Sequence, residues 1–130
     1  MKHSRLNCKA ESIDFKDDDY ETPKYILEMI FPYIIPYKRI YDPFYCTGRV
    51  KKNWEELGKE CINEKLDAFN REHPECDIVI SNIPFSIKEK SMKLFIELGK
   101  PFIILMPIDA MGSKWINKYF DKLQFIIPHK

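Results

Sequence analysis

The chain has 130 residues, enough for one domain with a sizeable buried core. It is 45% hydrophobic and 32% charged, which excludes a disordered polar chain. A formal net charge of +1 excludes a long, strongly basic nucleic-acid footprint, though not a local basic rim.

Residues 1–19 are polar, end in the acidic run Asp17-Asp18-Asp19 and show no sustained period. We expect an extended arm there, ahead of a globular domain over residues 20–130. Thr22-Pro23 reads as the N-cap and first residue of a helix that carries Ile26, Leu27, Ile30 and Phe31 on one face. Pro32 and Pro36 close it. Glu28 and Pro32 also break the apolar run, so no membrane span is expected, and the polar N-terminus has no signal-peptide pattern. Arg39-Ile40-Tyr41 reads as a first strand that runs into Asp42-Pro43-Phe44-Tyr45-Cys46-Thr47-Gly48. A helix over about residues 49–57 follows, with Gly58 as its C-cap.

Residues 60–64 read as a second strand, with Asp67 and Phe69 in the connection after it and a polar loop over residues 70–75. Residues 77–81 read as a third strand, and residues 86–98 as a helix with Gly99 beyond its end. The apolar run 102–106, between Pro101 and Pro107, reads as a fourth strand. A short helix over residues 113–120 and a last strand over residues 124–127 complete the order. Strands alternate with helices, and the strand cores are apolar runs. That pattern is an α/β fold with a mostly parallel sheet covered by helices on both faces. The cysteines Cys8, Cys46, Cys61 and Cys76 are widely spaced, with no CxxC and no zinc-type pairing. We therefore expect reduced thiols, no metal and an intracellular, cytoplasmic protein.

Ligands of parallel sheets bind in loops at the carboxyl ends of the strands, and three polar turns fall there. Asn82-Ile83-Pro84-Phe85 ends the third strand with a carboxamide, a rigid proline and a flat apolar ring. These groups suit a planar ligand that carries an amino group. An ordinary strand-to-helix connection is the other reading, because Ser86 to Glu89 is a capping-box pattern. The turn over residues 42–48 leads through Gly48 into a helix, where a ligand can approach the backbone closely. An acidic residue about 20 residues further on can hold ribose hydroxyls, and Glu64 has that place. A tight connecting turn and a surface glutamate are the plain alternative.

In this order, Thr22-Pro23, DPFYCTG at 42–48, Glu64, Asp67 with Phe69, and SNIPF at 81–85 resemble the motifs of S-adenosylmethionine-dependent adenine-N6 methyltransferases. The small viral and phage enzymes with DPFxGxG and (N/D)PP(F/Y) motifs are the most similar in pattern. The resemblance runs from about Tyr20 to Ile127. It implies a Rossmann-like methyltransferase fold, minimal or truncated at its C-terminal end, and S-adenosyl-L-methionine as cofactor. Asp42, Pro43, Phe44, Cys46 and Gly48 would surround the methionine part of that cofactor, beside Thr22 and Pro23. Glu64 would bind the ribose hydroxyls. Asp67 would accept from the cofactor's adenine amino group, with Phe69 packed nearby. Asn82, Ile83, Pro84 and Phe85 would form the catalytic turn that receives the target base. Two positions depart from the pattern. Cys46 replaces the first glycine of GxG, at about 1–2 kcal/mol if that position has positive φ. Ile83 replaces a proline, as in the N-[IL]-P-[YF] form of ribosomal RNA adenine dimethyltransferases.

The implied reaction is direct methyl transfer to the N6 amine of adenine in nucleic acid, with DNA ahead of RNA. Asn82 and the carbonyl near Ile83 would accept the amino hydrogens and stabilise the positive charge that develops. No strong general base is needed, and His73 and His129 are expected at the surface. Arg49, Lys51, Lys52, Lys88 and Lys90 follow the two main turns and suit a phosphate-binding rim, or simply solvated helix faces. In a chain of this length we expect no separate target-recognition domain. A homodimer or a partner subunit would then complete the sheet edge. The rival readings are a catalytically silent methyltransferase-like subunit and a methyltransferase acting on a protein glutamine amide.

Overall fold

Four short apolar runs carry the fold. In a computed structural model, which describes residues 22–127, they form β1 (Arg39–Tyr41), β2 (Glu60–Ile62), β3 (Ile78–Asn82) and β4 (Phe102–Leu105). The helices are α1 (Lys24–Ile30), α2 (Arg49–Glu56), α3 (Lys88–Leu98) and α4 (Lys114–Asn117). The arm expected over residues 1–19 with Asp17-Asp18-Asp19, and the positions of Cys8 and His129, lie outside the described residues.

The strands make one sheet in the order β2-β1-β3-β4, and every described pairing is parallel. Tyr41 stands opposite Ile62 on one side and Val79 on the other, and Asn82 stands opposite Leu105. The chain steps outward from β1 to β2, then returns to the far side of β1 as β3. That reversal makes the gap between the carboxyl ends of β1 and β3 a topological switch point, the usual place for a ligand in an open α/β sheet.

Alternation along the strands sends side chains to two cores. Ile40, Cys61, Ile78 and Ile80 pack with Leu27 and Ile30 of α1 and with Val50 and Trp54 of α2. Tyr41 and Val79 face the other way and pack with Phe44, Leu94 and Phe95. Helices thus cover both faces, as the apolar runs predict. Burying one such side chain stabilises by about 1.5–3 kcal/mol, so the two layers hold the strand ends rigidly. Lys59 adds a polar tie. It is buried, and its Nζ donates to the carbonyls of Ile34, Ile35 and Tyr37, the turn that leads from α1 toward β1. At the start of β1, Asp77 Oδ2 accepts from the backbone N–H groups of Lys38 and Arg39.

Several expectations shift. Pro23 is the N-cap of α1 instead of its first residue, with no side-chain cap from Thr22. The Ser86–Glu89 capping box does not form. Pro84 (φ −64, ψ 127) starts a 3-10 turn, Phe85–Ile87, that leads into α3, and Ser91 Oγ donates to the Ile87 carbonyl. Residues 124–127 form no strand. Phe125 packs on Phe120 at 5.1 Å between ring centroids, and Ile126 and Ile127 are exposed. Apolar composition alone does not make a strand without a partner edge. Cys61 and Cys76 are free and buried, but Cys46 is disulfide-bonded. The expectation of reduced thiols therefore fails at Cys46. No helix among the described residues is long and apolar enough to cross a membrane.

Candidate functional site

The carboxyl ends of β2, β1 and β3 are joined by side chains. Asp42, the first residue after β1, is buried, and its Oδ1 accepts from Ser81 Oγ in β3 at 2.7 Å and from its own loop at Phe44 N at 3.1 Å. On the opposite side, Asn63 follows β2. Its Nδ2 donates to the carbonyls of Asp42 at 2.9 Å and Phe44 at 3.3 Å. Asn63 is 5% exposed, and its Oδ1 makes no hydrogen bond. One carboxylate and one carboxamide therefore tie three strand ends together across the switch point. Buried polar groups are stable only when paired, so these bonds fix the Asp42–Phe44 turn in place.

The rest of the turn over residues 42–48 divides by depth. Pro43 and Phe44 are buried, and Phe44 sits between Phe69 at 5.8 Å and Phe95 at 6.3 Å. Phe44 is thus a core residue that anchors the turn. Cys46 is half-buried and held by its disulfide. Gly48 has φ +88 and precedes α2; a Cβ there would meet the Tyr45 hydroxyl at 3.0 Å. Gly48 thus takes a positive φ at which only glycine avoids strain.

After β2 the chain turns through Glu64, Asp67 and Phe69. Asp67 Oδ1 accepts from Phe69 N at 2.9 Å, a local turn that sets Phe69 against Phe44. The Glu64 side chain is 52% exposed and pairs with Arg71 Nη2 at 2.8 Å. Behind this pair, Arg71 lies over the ring of buried Tyr41, whose hydroxyl is hydrogen-bonded to His73 Nδ1 at 2.8 Å. Burial pushes the Tyr41 phenol up to about 12. Burial, with Arg71 beside it, lowers His73 from the usual imidazole range.

After β3, Asn82 is half-buried, Ile83 is buried in the core with Leu94 and Phe95, and Pro84 sets the turn. Phe85 is left 46% exposed at the surface. Lys88 Nζ lies 4.6 Å from the Phe85 ring centroid, and Lys90 Nζ lies 4.3 Å from that of Phe69. Each lysine thus covers an aromatic ring of the candidate site, a contact that holds a cation beside it.

The structure brings together the turns at 42–48, 63–69 and 82–85, with Lys88 and Lys90 at their border. The other expected members lie at the start of α1 and on α2. Thr22 and Pro23 head α1, with Thr22 buried. Lys51 is directed to Glu55 and the Cys61 carbonyl on the β2 side of α2. Arg49 and Lys52 are exposed on α2. Three residues that organise the site are given no role by the sequence pattern: Ser81, although it begins SNIPF, Asn63 and Arg71. Asn63 and Ser81 are polar residues closing apolar strands beside Glu64 and Asn82, which is the one cue that singles them out. Arg71 lies in a polar loop and gives none. Among the described residues no His, Cys, Asp and Glu group is arranged to hold a metal ion. Comparisons with protein-family models, with curated proteins and with solved structures find no match to this chain.

Proposed function

We propose that the protein is an S-adenosylmethionine-dependent methyltransferase of a Rossmann-like fold, acting on the exocyclic N6 amine of adenine in nucleic acid. The observation that carries this reading is the pair of bonds from Ser81 and Asn63 to Asp42 and its turn. They hold the three motif-bearing turns around the switch point of a parallel sheet, where such sheets bind ligands.

The residues present suit the cofactor. A half-exposed carboxylate, Glu64, follows β2 and suits a vicinal diol. Gly48 at positive φ permits close backbone approach at the start of α2. The orphaned, buried Asn63 Oδ1 beside the Asp42 turn is a feature that structural packing leaves unexplained. When bound, S-adenosylmethionine supplies a methyl group on a sulfonium centre. The protein's part is to bind and orient. Asn82 accepts a hydrogen from the target amine, drawing its nitrogen toward tetrahedral geometry and stabilising the charge that develops there. Pro84 keeps that acceptor in place, and the exposed face of Phe85 stacks an extruded base. Lys88 and Lys90 supply positive charge for flanking phosphates. The amine proton is lost to water after transfer, so His73 can stay bonded to Tyr41.

Nucleoside mass spectrometry tests the reaction. DNA and RNA incubated with the protein and isotopically labelled cofactor should yield labelled N6-methyladenine, and absence of label from both would remove the enzymatic reading. A catalytically silent subunit is the second reading. It is favoured by the disulfide at Cys46, where the family pattern has a glycine. A thermal shift separates them: at about 100 times the dissociation constant, bound cofactor stabilises by about 2.7 kcal/mol. No shift at millimolar cofactor favours the silent subunit.

A further inference from the structure

We propose that Arg71 is the positioning residue for Glu64, holding its carboxylate ready to accept from a vicinal diol; the inference rests on the cofactor reading above and names a member of that site that no motif contains. Three contacts describe the guanidinium, and one of its nitrogens has no partner. Its Nη2 donates to Glu64 Oε1 at 2.8 Å, and its Nε donates to the Glu72 carbonyl at 2.9 Å. Its Cζ lies 5.5 Å from the ring centroid of Tyr41. Its Nη1 is buried and makes no hydrogen bond.

The two partners differ sharply in exposure: the side chain of Arg71 is 11% exposed and that of Glu64 is 52% exposed. A pair of two mobile surface side chains contributes little. Here one partner is already fixed. Tyr41 is wholly buried between β2 and β3, and His73 holds its hydroxyl, so the ring on which Arg71 rests cannot shift independently of the sheet. The planar fork of arginine transmits that rigidity to the carboxylate in a way a lysine cannot. Glu64, otherwise a flexible side chain just after β2, is ordered before any ligand arrives. The ordering entropy is thereby removed from binding, which is preorganisation. Pairing through Oε1 leaves the second carboxylate oxygen as a further acceptor on a group already oriented.

Stability does not explain the arrangement by itself. A fully buried N–H without a partner is unfavourable, and such groups are rare enough in native proteins to call for a reason. Holding a neighbouring carboxylate in one orientation supplies one.

The test compares binding of S-adenosylhomocysteine and of its dideoxyribose analogue by calorimetry, in the wild-type protein and in Arg71→Met, Arg71→Lys, Glu64→Ala and the Glu64→Ala/Arg71→Met double variant. The preference for the natural ribose should fall about tenfold in Arg71→Met and less in Arg71→Lys. It should vanish in Glu64→Ala, with no further loss in the double variant. Arg71→Lys keeps the cation over Tyr41 and so serves if Arg71→Met fails to fold. Equal weakening of both ligands by the Arg71 variants, as a general folding defect would produce, overturns the proposal. So does an unchanged ribose preference. If the wild-type protein binds neither ligand, the cofactor reading itself falls and this inference with it. If it binds both equally, the ribose role of Glu64 is what fails.

Discussion

Asn82 and Glu64 stand on different strand ends and should fail in different ways. On the methyltransferase reading proposed above, Asn82→Ala removes one acceptor of developing charge, so kcat should fall by about 10²–10³ with cofactor binding nearly intact. A methylation assay in which turnover is unchanged removes Asn82 from the reaction. Glu64→Ala should weaken cofactor binding in calorimetry, and equal affinity removes it from the site. The strand-end positions of both are legible in the sequence, because each ends or follows an apolar run. Their supports are less so. Ser81 and Asn63 act on Asp42 from positions 39 and 21 residues away, and Arg71 acts on Glu64 and Tyr41 through a loop of polar residues. Partnerships of this range exist only once the sheet has formed. Phe44, within the ligand-loop motif, packs between Phe69 and Phe95, a contact pattern that no local signal gives.

At the scale of elements, most strands and helices are legible from apolar runs bounded by proline and glycine. Gly58 and Gly99 take positive φ just past α2 and α3, as C-capping glycines do. What is lost is whatever depends on a neighbour. Residues 124–127 have strand composition but lie at no sheet edge, and the Ser86–Glu89 pattern yields to a 3-10 turn set by Pro84. Lys59 is the clearest case. On sequence alone it is a surface charge after a helix, yet in the fold it joins α2 to the turn beyond α1 through three carbonyls. Lys59→Met keeps most of the packing volume but leaves those acceptors without their donor. It should destabilise by about 1–3 kcal/mol, read as a lower urea midpoint with an unchanged slope. A midpoint equal to wild type would show that the tie adds nothing.

For the whole molecule, two of the groups that couple stability to pH lie at opposite limits. The Tyr41 phenol is raised from 10.0 to about 12, chiefly by burial. Its neutral form is thus favoured in the native state, a contribution complete below about pH 10 and lost as pH rises through about 12. Tyr41→Phe should flatten that alkaline loss in urea melts run across pH. Asp77 is held below the usual carboxylate range, first by the Arg39 backbone N–H and then by that of Lys38. Its contribution is present above the ordinary carboxylate value and disappears as pH falls through the lowered one. Asp77→Asn should remove that acid-side slope. The burial of Cys61 in the middle of β2 has a practical consequence. The thiol is free and 2% exposed, and burial raises its pKa, so the reactive thiolate is suppressed while the sheet is closed. Alkylation of Cys61 should therefore wait for the sheet to open, and its rate should rise with urea in step with global unfolding. The chain then carries its own clock for unfolding, with no added probe; labelling that ignores urea would show instead that β2 opens by itself.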